Sequence, residues 1–426
     1  MKKRFARIAA IAVAAVMVGS LAACGSNGGG SGSAADEGGK KASGDTITVG
    51  VVYPQTGALA AFGAGTEEMY GYAVDEINQA GGIEVDGSAK QIELVYADSE
   101  SDPTKASEAA NNLISSKNVD IMLTAKTADT TVPVAAACER AGVVCLSVDT
   151  PDEAWATSDY QYSFHAGFNT ENELNSFKDA WDKAGISGGK VGVMHATDTE
   201  GQTMIGAISA FCEANGYEAY DPGAYTSGST DYTSIINNLK KEGCDAVVGV
   251  MLTSDFGTFF SQLKSSGYMP KVTTVAKATL FKEDVDAAGA NGLADGLCSE
   301  VWWTPSHPYV SSITGETCED IGNKWMELTG AEYAPATAGY DYANVEILYN
   351  VLKNAGTLDT DALVKAADEL AVDTVIGPVD FNEQHYSVQP LVTGQWTYNE
   401  DGTWTQDIIA NTQVPDCPTT AELRVN

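Results

Sequence analysis

From Thr46 onward the chain alternates short runs rich in β-branched residues with longer amphipathic runs, and this alternation limits the possible folds more than any other feature. Strands separated by helix-length segments pair in parallel, because each helix carries the chain back to the start of the next strand. The first unit has a strand at Thr46–Tyr53, a loop from Pro54 to Gly63, and a helix over Thr66–Ala80 with Glu67 and Glu68 at its positive end and Gly81-Gly82 at its stop. The next has a strand at Gln91–Ala97 and a helix opened by Asp102-Pro103, an N-cap followed by a proline where no N–H is needed. Strands over Asp120–Thr124 and Val143–Ser147, with a helix over Thr130–Ala141 between them, complete a four-stranded lobe. After Gln161–His165 the pattern restarts with strands at Lys190–Met194, Ala246–Met251, Lys271–Val275 and Leu297–Val301, interleaved with helices, which predicts a second doubly wound lobe. Helices over Ser311–Leu328, Ala338–Asn354 and Thr360–Leu370 bring no sheet of their own, so they are expected to return and cover the first lobe. The β-rich segments Pro390–Trp396 and Thr403–Ala410 close the chain. The expected class is α/β, two doubly wound Rossmann-like lobes.

Composition agrees and excludes some partners. Of 426 residues 44% are hydrophobic and 19% charged, enough apolar material for two cores. Against 24 Lys plus Arg stand 58 Asp plus Glu, a formal net charge of −34 that repels phosphate backbones and anionic bilayers. No nucleic-acid partner is expected. Lys2, Lys3, Arg4 and Arg7 precede an apolar run from Ile8 to Val18, too short to span a membrane, so residues 1–23 read as an export signal. That signal ends in Leu21-Ala22-Ala23-Cys24, which resembles a bacterial lipobox and implies lipidation of Cys24. Residues 24–45 are mostly Gly, Ser and Ala, a flexible tether; some twenty residues of this kind reach about 25 Å. The expected location is the outer face of the cytoplasmic membrane, lipid-anchored and extracellular.

Seven cysteines remain beyond Cys24: Cys138, Cys145, Cys212, Cys244, Cys298, Cys318 and Cys417. Local bridges Cys138–Cys145, Cys212–Cys244 and Cys298–Cys318 and fully reduced, buried thiols are both compatible with the spacing. There is no Cys-x-x-Cys, and the four histidines are dispersed, so no metal or cofactor is expected. Gly-x-Ser-x-Gly, His-Glu-x-x-His, the phosphate-binding loop and Gly-x-Gly-x-x-Gly after the first strand are also missing from the sequence, and no enzymatic activity is expected.

The strand-loop Val49-Gly50-Val51-Val52-Tyr53-Pro54-Gln55-Thr56-Gly57 with Ala60-Ala61-Phe62-Gly63, then Ala73-Val74-Asp75-Glu76-Ile77-Asn78, Tyr96-Ala97-Asp98 and Asp102-Pro103-Thr104-Lys105-Ala106, recur in order with Thr374-Val375-Ile376-Gly377-Pro378 and Gln389-Pro390-Leu391-Val392-Thr393-Gly394-Gln395-Trp396. In these segments the chain resembles the type I solute-binding proteins of bacterial ABC importers, the leucine/isoleucine/valine-binding family. The resemblance implies three hinge crossovers, placed near His165–Phe168, Ser299–Trp303 and Gly377–Phe381. The first lobe is then 46–165 and 302–378, the second 166–301 and 379–412, with a tail at 413–426. It also implies a monomeric receptor that shuts an amino acid or related small carboxylate in its cleft and delivers it to an ABC permease. A ligand sensor for a membrane signalling partner is the alternative.

In similar proteins the solute's carboxylate meets the loops after the third and fourth strands of the first lobe. Here these hold Lys126, Thr127 and Thr130, then Ser147, Asp149 and Thr150; the hydroxyls serve as ligand donors or as turn and helix caps. The second lobe offers His195, Asp198 and Glu200, then Thr253, Ser254 and Asp255, as ammonium partners or helix caps. Lys277 departs from the pattern, since relatives that bind amino acids carry an acid near the end of this strand. With Lys126 opposite, two cations across the cleft would favour a solute with an extra anionic group, unless both lysines extend to water. Phe62, Trp155, Tyr225, Trp302 and Trp303 are candidates for the apolar wall, and only one of the adjacent tryptophans can face the solute.

Overall fold

A computed structural model of the chain describes residues 46–289 and 292–426, apart from the side chains of residues 199 and 200. The expected leader, Cys24 and the tether lie outside the described residues, as does the side chain of Glu200. The chain begins with β1 (Thr46–Tyr53), α1 (Thr66–Gln79), the hairpin β2 (Ile83–Val85) and β3 (Ser88–Asp98), then α2 (Pro103–Ser116), β4 (Ile121–Ala125), α3 (Ala128–Ala141), β5 (Cys145–Pro151), the single turn α4 (Glu153–Ala156) and β6 (Ser163–Phe168). Asp102 caps α2 by accepting from the N–H groups of Thr104 and Lys105 at 2.8 and 2.9 Å, with Pro103 at the first helical position. Acceptance by the Asp102 side chain satisfies helix N–H groups that have no carbonyl partner.

The chain then leaves the first sheet. It continues with α5 (Thr170–Lys183), β7 (Lys190–Met194), α6 (Thr199–Ala214), β8 (Glu218–Tyr220), α7 (Thr233–Glu242), β9 (Ala246–Val250), α8 (Thr253–Ser265), β10 (Val272–Ala276), α9 (Lys282–Ala288) and β11 (Cys298–Val301). Next come α10 (Cys318–Thr329), α11 (Ala336–Ala355), α12 (Thr360–Asp368), β12 (Ala371–Thr374), β13 (Gly377–Asp380), β14 (Tyr386–Val388), β15 (Val392–Tyr398) and β16 (Trp404–Ala410). Two seven-stranded sheets result, in the orders β14-β6-β5-β4-β1-β3-β2 and β16-β15-β11-β10-β9-β7-β8. The central strands of both are parallel, and antiparallel pairs occur at the β2–β3 edge of one and the β11–β15–β16 side of the other. Helices α10 and α11 return to the first lobe, where Trp325, Tyr340, Tyr342 and Leu348 join the core around Val49, Leu123 and Leu146.

The chain leaves the first sheet after β6 and returns to it after β11. The third crossing lies later than Gly377–Phe381. β14 pairs in parallel with β6, Tyr386 opposite His165, so residues 379–388 stay with the first lobe and the chain crosses at Gln389–Leu391. The short run Tyr386–Val388 carries too little pattern to be seen as a strand. Its pairing comes from the exposed edge of β6. The crossings are tied together: Gln389 N–H donates to the Gly167 carbonyl at 2.6 Å, Asn172 donates to the Gln389 carbonyl at 3.2 Å, and the Phe168 and Trp302 rings lie 4.8 Å apart.

All seven described cysteines are free and buried, so none of the three local bridges is present and the reduced alternative is the one found. No described helix is long and apolar enough to cross a membrane, and the described residues contain no metal-binding cluster of His, Cys, Asp or Glu.

Candidate functional site

Parallel strands deliver their following loops to one edge of each sheet, and ligands gather at such edges. Four residues there adopt left-handed backbone conformations that side chains other than glycine rarely take: Lys126 (φ 73°), Thr127 (φ 67°), Asp149 (φ 62°) and Lys277 (φ 66°), after or at the ends of β4, β5 and β10. Each such residue costs roughly 1 kcal/mol or more, and clustered strain of this kind marks sites held in place by their surroundings.

Between the two edges lies a cavity of about 360 Å³. The first lobe contributes Phe62, Thr127, Ala128, Asp129, Asp149 and Pro151; the crossings contribute Phe168, Thr170 and Trp302; the second lobe contributes Glu173, Met204, Val250, Lys277, Leu280 and Glu300. Of the residues the sequence singled out, Phe62, Thr127, Asp149, Lys277 and Trp302 therefore line the same cavity. A second hollow, of about 430 Å³, is lined by Gly82, Ile83, Glu84, Gly87, Tyr349, Lys353 and Gly356. It lies at the opposite end of the first sheet, where β3 begins and α11 ends, away from the strained loops.

Lys126 is placed differently from the expectation of a cleft cation. Its ammonium is fully buried, 3.0 Å from Asp149 Oδ2 and 2.7 Å from Asp341 Oδ1 on α11, and Asp341 Oδ2 accepts from Thr66 at 3.1 Å. Burial alone would deprotonate the amine, but the two carboxylates outweigh it and hold its affinity for the proton above the ordinary lysine value. The same burial raises Asp149 to about 7 and raises Asp341, although Lys126 pulls both down. Lys126 thus fixes Asp149 and the strained turn at Thr127 from behind the wall.

Other candidates are occupied in the fold. Thr130 donates to the Lys126 carbonyl at 2.6 Å. Ser147 and Thr150 flank His165, with Oγ 2.8 Å from Nδ1 and Oγ1 3.2 Å from Nε2, and Trp155 stacks on that imidazole at 4.1 Å. His195 contacts Asp221 at 3.0 Å, and Asp198 caps α6 by accepting from Gly201 at 2.8 Å. Thr253 donates to Asp284 at 3.2 Å, and buried Asp255 accepts from Gly228 and Tyr232 at 2.7 and 3.2 Å. Tyr225 is buried in the core of the second lobe. Trp303 turns away from the cavity and donates to the Val375 carbonyl at 3.0 Å, so Trp302 is the tryptophan of the pair on the wall.

The sequence did not point to Glu173 and Glu300. Glu173 is one of two acids in the first turn of α5, where an acid is ordinary; Glu300 is the one charge in the buried strand Cys298–Val301, which is the available signal. Glu300 is 2% exposed and its Oε2 has no hydrogen-bond partner among the described residues. Burial, reinforced by the charge of Glu173, raises its pKa well above the usual carboxylate range. The wall thus combines aromatic and aliphatic surface with several acids and Lys277, a lining suited to a small polar solute.

The family model for periplasmic binding proteins matches residues 46–403. Leu/Ile/Val-binding protein homolog 3 of Brucella melitensis biotype 1 is 24% identical over 345 residues, 79% of this chain and 87% of that protein. The branched-chain amino acid transporter substrate binding protein of Streptococcus pneumoniae, solved in complex with isoleucine, matches with a TM-score of 0.69 at 22% identity, over 86% of this chain and 99% of that one. An ABC transporter solute binding protein from Rhodopseudomonas palustris BisB5, solved in complex with 3,4-dihydroxy benzoic acid, matches with a TM-score of 0.68 at 18% identity, over 87% and 98%. The family match runs through the first sheet, all three crossings and the second sheet up to β15, and the solved proteins share the two-lobed type I fold; the chain belongs to the periplasmic binding protein family.

Proposed function

We propose that the chain is an extracytoplasmic lipoprotein that captures an amino acid or related small carboxylate by cleft closure and delivers it to an ABC permease, without chemical change. The observation that carries this reading is the cavity of about 360 Å³ whose wall draws on both lobes and on the crossings between them. A solute held by both walls stabilises the closed arrangement by its differential affinity for it, so occupancy and hinge state are linked. The relatives bound to isoleucine and to a dihydroxybenzoic acid support a screen that spans both classes. Phe62, Thr127, Asp149, Lys277 and Trp302 are the sequence candidates we assign to solute contact.

A thermal-shift screen of amino acids, dicarboxylates and aromatic acids tests the reading, since a solute that binds only the folded state must raise the midpoint. At least one member is expected to do so and to be recovered unaltered. Conversion into a product would overturn the assignment. Anchoring is tested separately: Cys24→Ala is expected to release the protein from the membrane fraction, and retention there would exclude lipidation at Cys24 as the anchor.

A further inference from the structure

We propose that the loop at residues 331–335 is a latch between the lobes: Tyr333 favours the closed arrangement and so sets how tightly a solute is held, without touching the solute. This rests on the solute-binding reading above. The loop joins α10 to α11 and is held at both ends by the first lobe. Gly330 closes α10 in the left-handed conformation (φ 72°), Pro335 opens α11, and Ala334 is buried in the core of the first lobe. Tyr333, one residue earlier, packs instead against the core of the second lobe. Its hydroxyl donates to Gln406 Oε1 on β16 at 3.0 Å, and its ring lies 6.2 Å from that of Trp396 on β15. Two neighbours in sequence thus serve the cores of different lobes.

The second lobe answers with the segment after β10. Leu280 packs against the core of the first lobe, the Phe281 ring meets Phe62 edge to face at 4.8 Å, and Lys282 lies 3.8 Å from Glu332. Trp396 Nε1 donates to the Thr279 carbonyl at 2.8 Å, so the ring that receives Tyr333 also fixes this segment. Glu332 is exposed and its ion pair is worth little in water, which leaves the ring contact and hydrogen bond of Tyr333 to carry the latch. Phe62 and Leu280 line the solute cavity, whereas Tyr333 and Gln406 are not among its described lining. Parting the cavity walls draws Leu280, Phe281 and Trp396 away from the first lobe and breaks these contacts. A contact made only in the closed arrangement raises the population of that arrangement, and the apparent Kd of every solute that needs closure falls by the same factor. A group that touches the solute would instead change unlike solutes by different amounts.

The test uses the purified mature protein with isoleucine and 3,4-dihydroxybenzoate, the solutes of the two solved relatives. Tyr333→Ala is expected to weaken each probe that the parent protein binds by one common factor, about tenfold, as loss of a hydrogen bond and an aromatic contact would. Tyr333→Phe keeps the ring and loses only the bond to Gln406; its Kd is expected to fall between those of the parent and Tyr333→Ala, and it takes over the test should the alanine variant not fold. X-ray scattering without solute should give a larger radius of gyration for Tyr333→Ala than for the parent, because fewer solute-free molecules are closed. A Kd for Tyr333→Ala within about twofold of the parent, or a loss confined to one of two bound probes, overturns the latch and leaves the solute-binding reading intact. Where the parent binds neither probe the radius alone decides, and equal solute-free radii overturn the latch. No stabilisation across the whole thermal-shift screen would instead sink the reading above, with the latch still judged by that radius.

Discussion

At the residue scale the decisive feature is how buried charge is neutralised. Lys126 lies between Asp149 and Asp341 with no solvent contact, and removing one member of such a network is far more damaging than never having built it. Lys126→Met is therefore expected to cost about 3–5 kcal/mol, read from urea unfolding as a lower midpoint at unchanged slope. The triple change Lys126→Met, Asp149→Asn, Asp341→Asn should recover most of that loss; no recovery would mean that the lysine acts through packing. A second buried pair gives a pH signature. Asp152, with neither carboxylate oxygen hydrogen-bonded among the described residues, lies 3.7 Å from His165 Nε2; burial raises Asp152 to about 9 and lowers His165 to about 4. Folded Asp152 keeps a proton that the unfolded chain releases near pH 4, so its contribution is complete below about pH 4 and declines as pH rises to about 9. Asp152→Asn should flatten this decline in unfolding free energy between pH 5 and 9. For His165 the sign is opposite, with stability lost as pH falls from about 6.5 toward 4.

At the element scale the passage between the lobes is crowded because three chain segments share it. Gly167, the last residue but one of β6, shows how little room remains: a Cβ there would sit 2.2 Å from the Thr150 carbonyl oxygen and 2.4 Å from His165 Nε2. Neither the backbone nor a stacked, hydrogen-bonded imidazole can give way cheaply. Gly167→Ala is expected to destabilise the protein by about 1–3 kcal/mol, as overpacking does, measurable by the same urea titration. The sequence made much of this scale legible, since strand-helix alternation and the Asp102-Pro103 cap are local signals. The β14 strand was not, because three residues acquire their pairing from β6 across more than two hundred residues of chain. The site behaved in the same way. Residue type and position suffice to pick Phe62, Thr127 and Trp302, which line the cavity, while the capture of Lys126 depends on Asp341, an acid on α11 far away in sequence. Glu300 needed the fold to show that a lone acid in an apolar strand faces a cavity rather than water.

For the whole molecule, charge and shape set separate expectations. A net charge of −34 makes the compact state repel itself, and salt screens that repulsion over about 10 Å at 0.1 M. The melting midpoint without solute should therefore rise between 20 and 300 mM NaCl; a fall would show that exposed ion pairs such as Lys105–Glu108 outweigh the repulsion. Shape enters through the cavity. Because Phe62, Thr127 and Asp149 come from one lobe and Met204, Lys277 and Glu300 from the other, a solute that touches both walls cannot enter without the walls parting. The three short crossings permit a hinge, and each lobe has its own core to move as a body. X-ray scattering should thus show a smaller radius of gyration with saturating solute than without. The same solute at a hundred times its Kd should add about 2.7 kcal/mol to unfolding free energy by mass action alone. An identical radius in both states, despite that stabilisation, would mean that the solute binds an already closed molecule and that closure does not report capture.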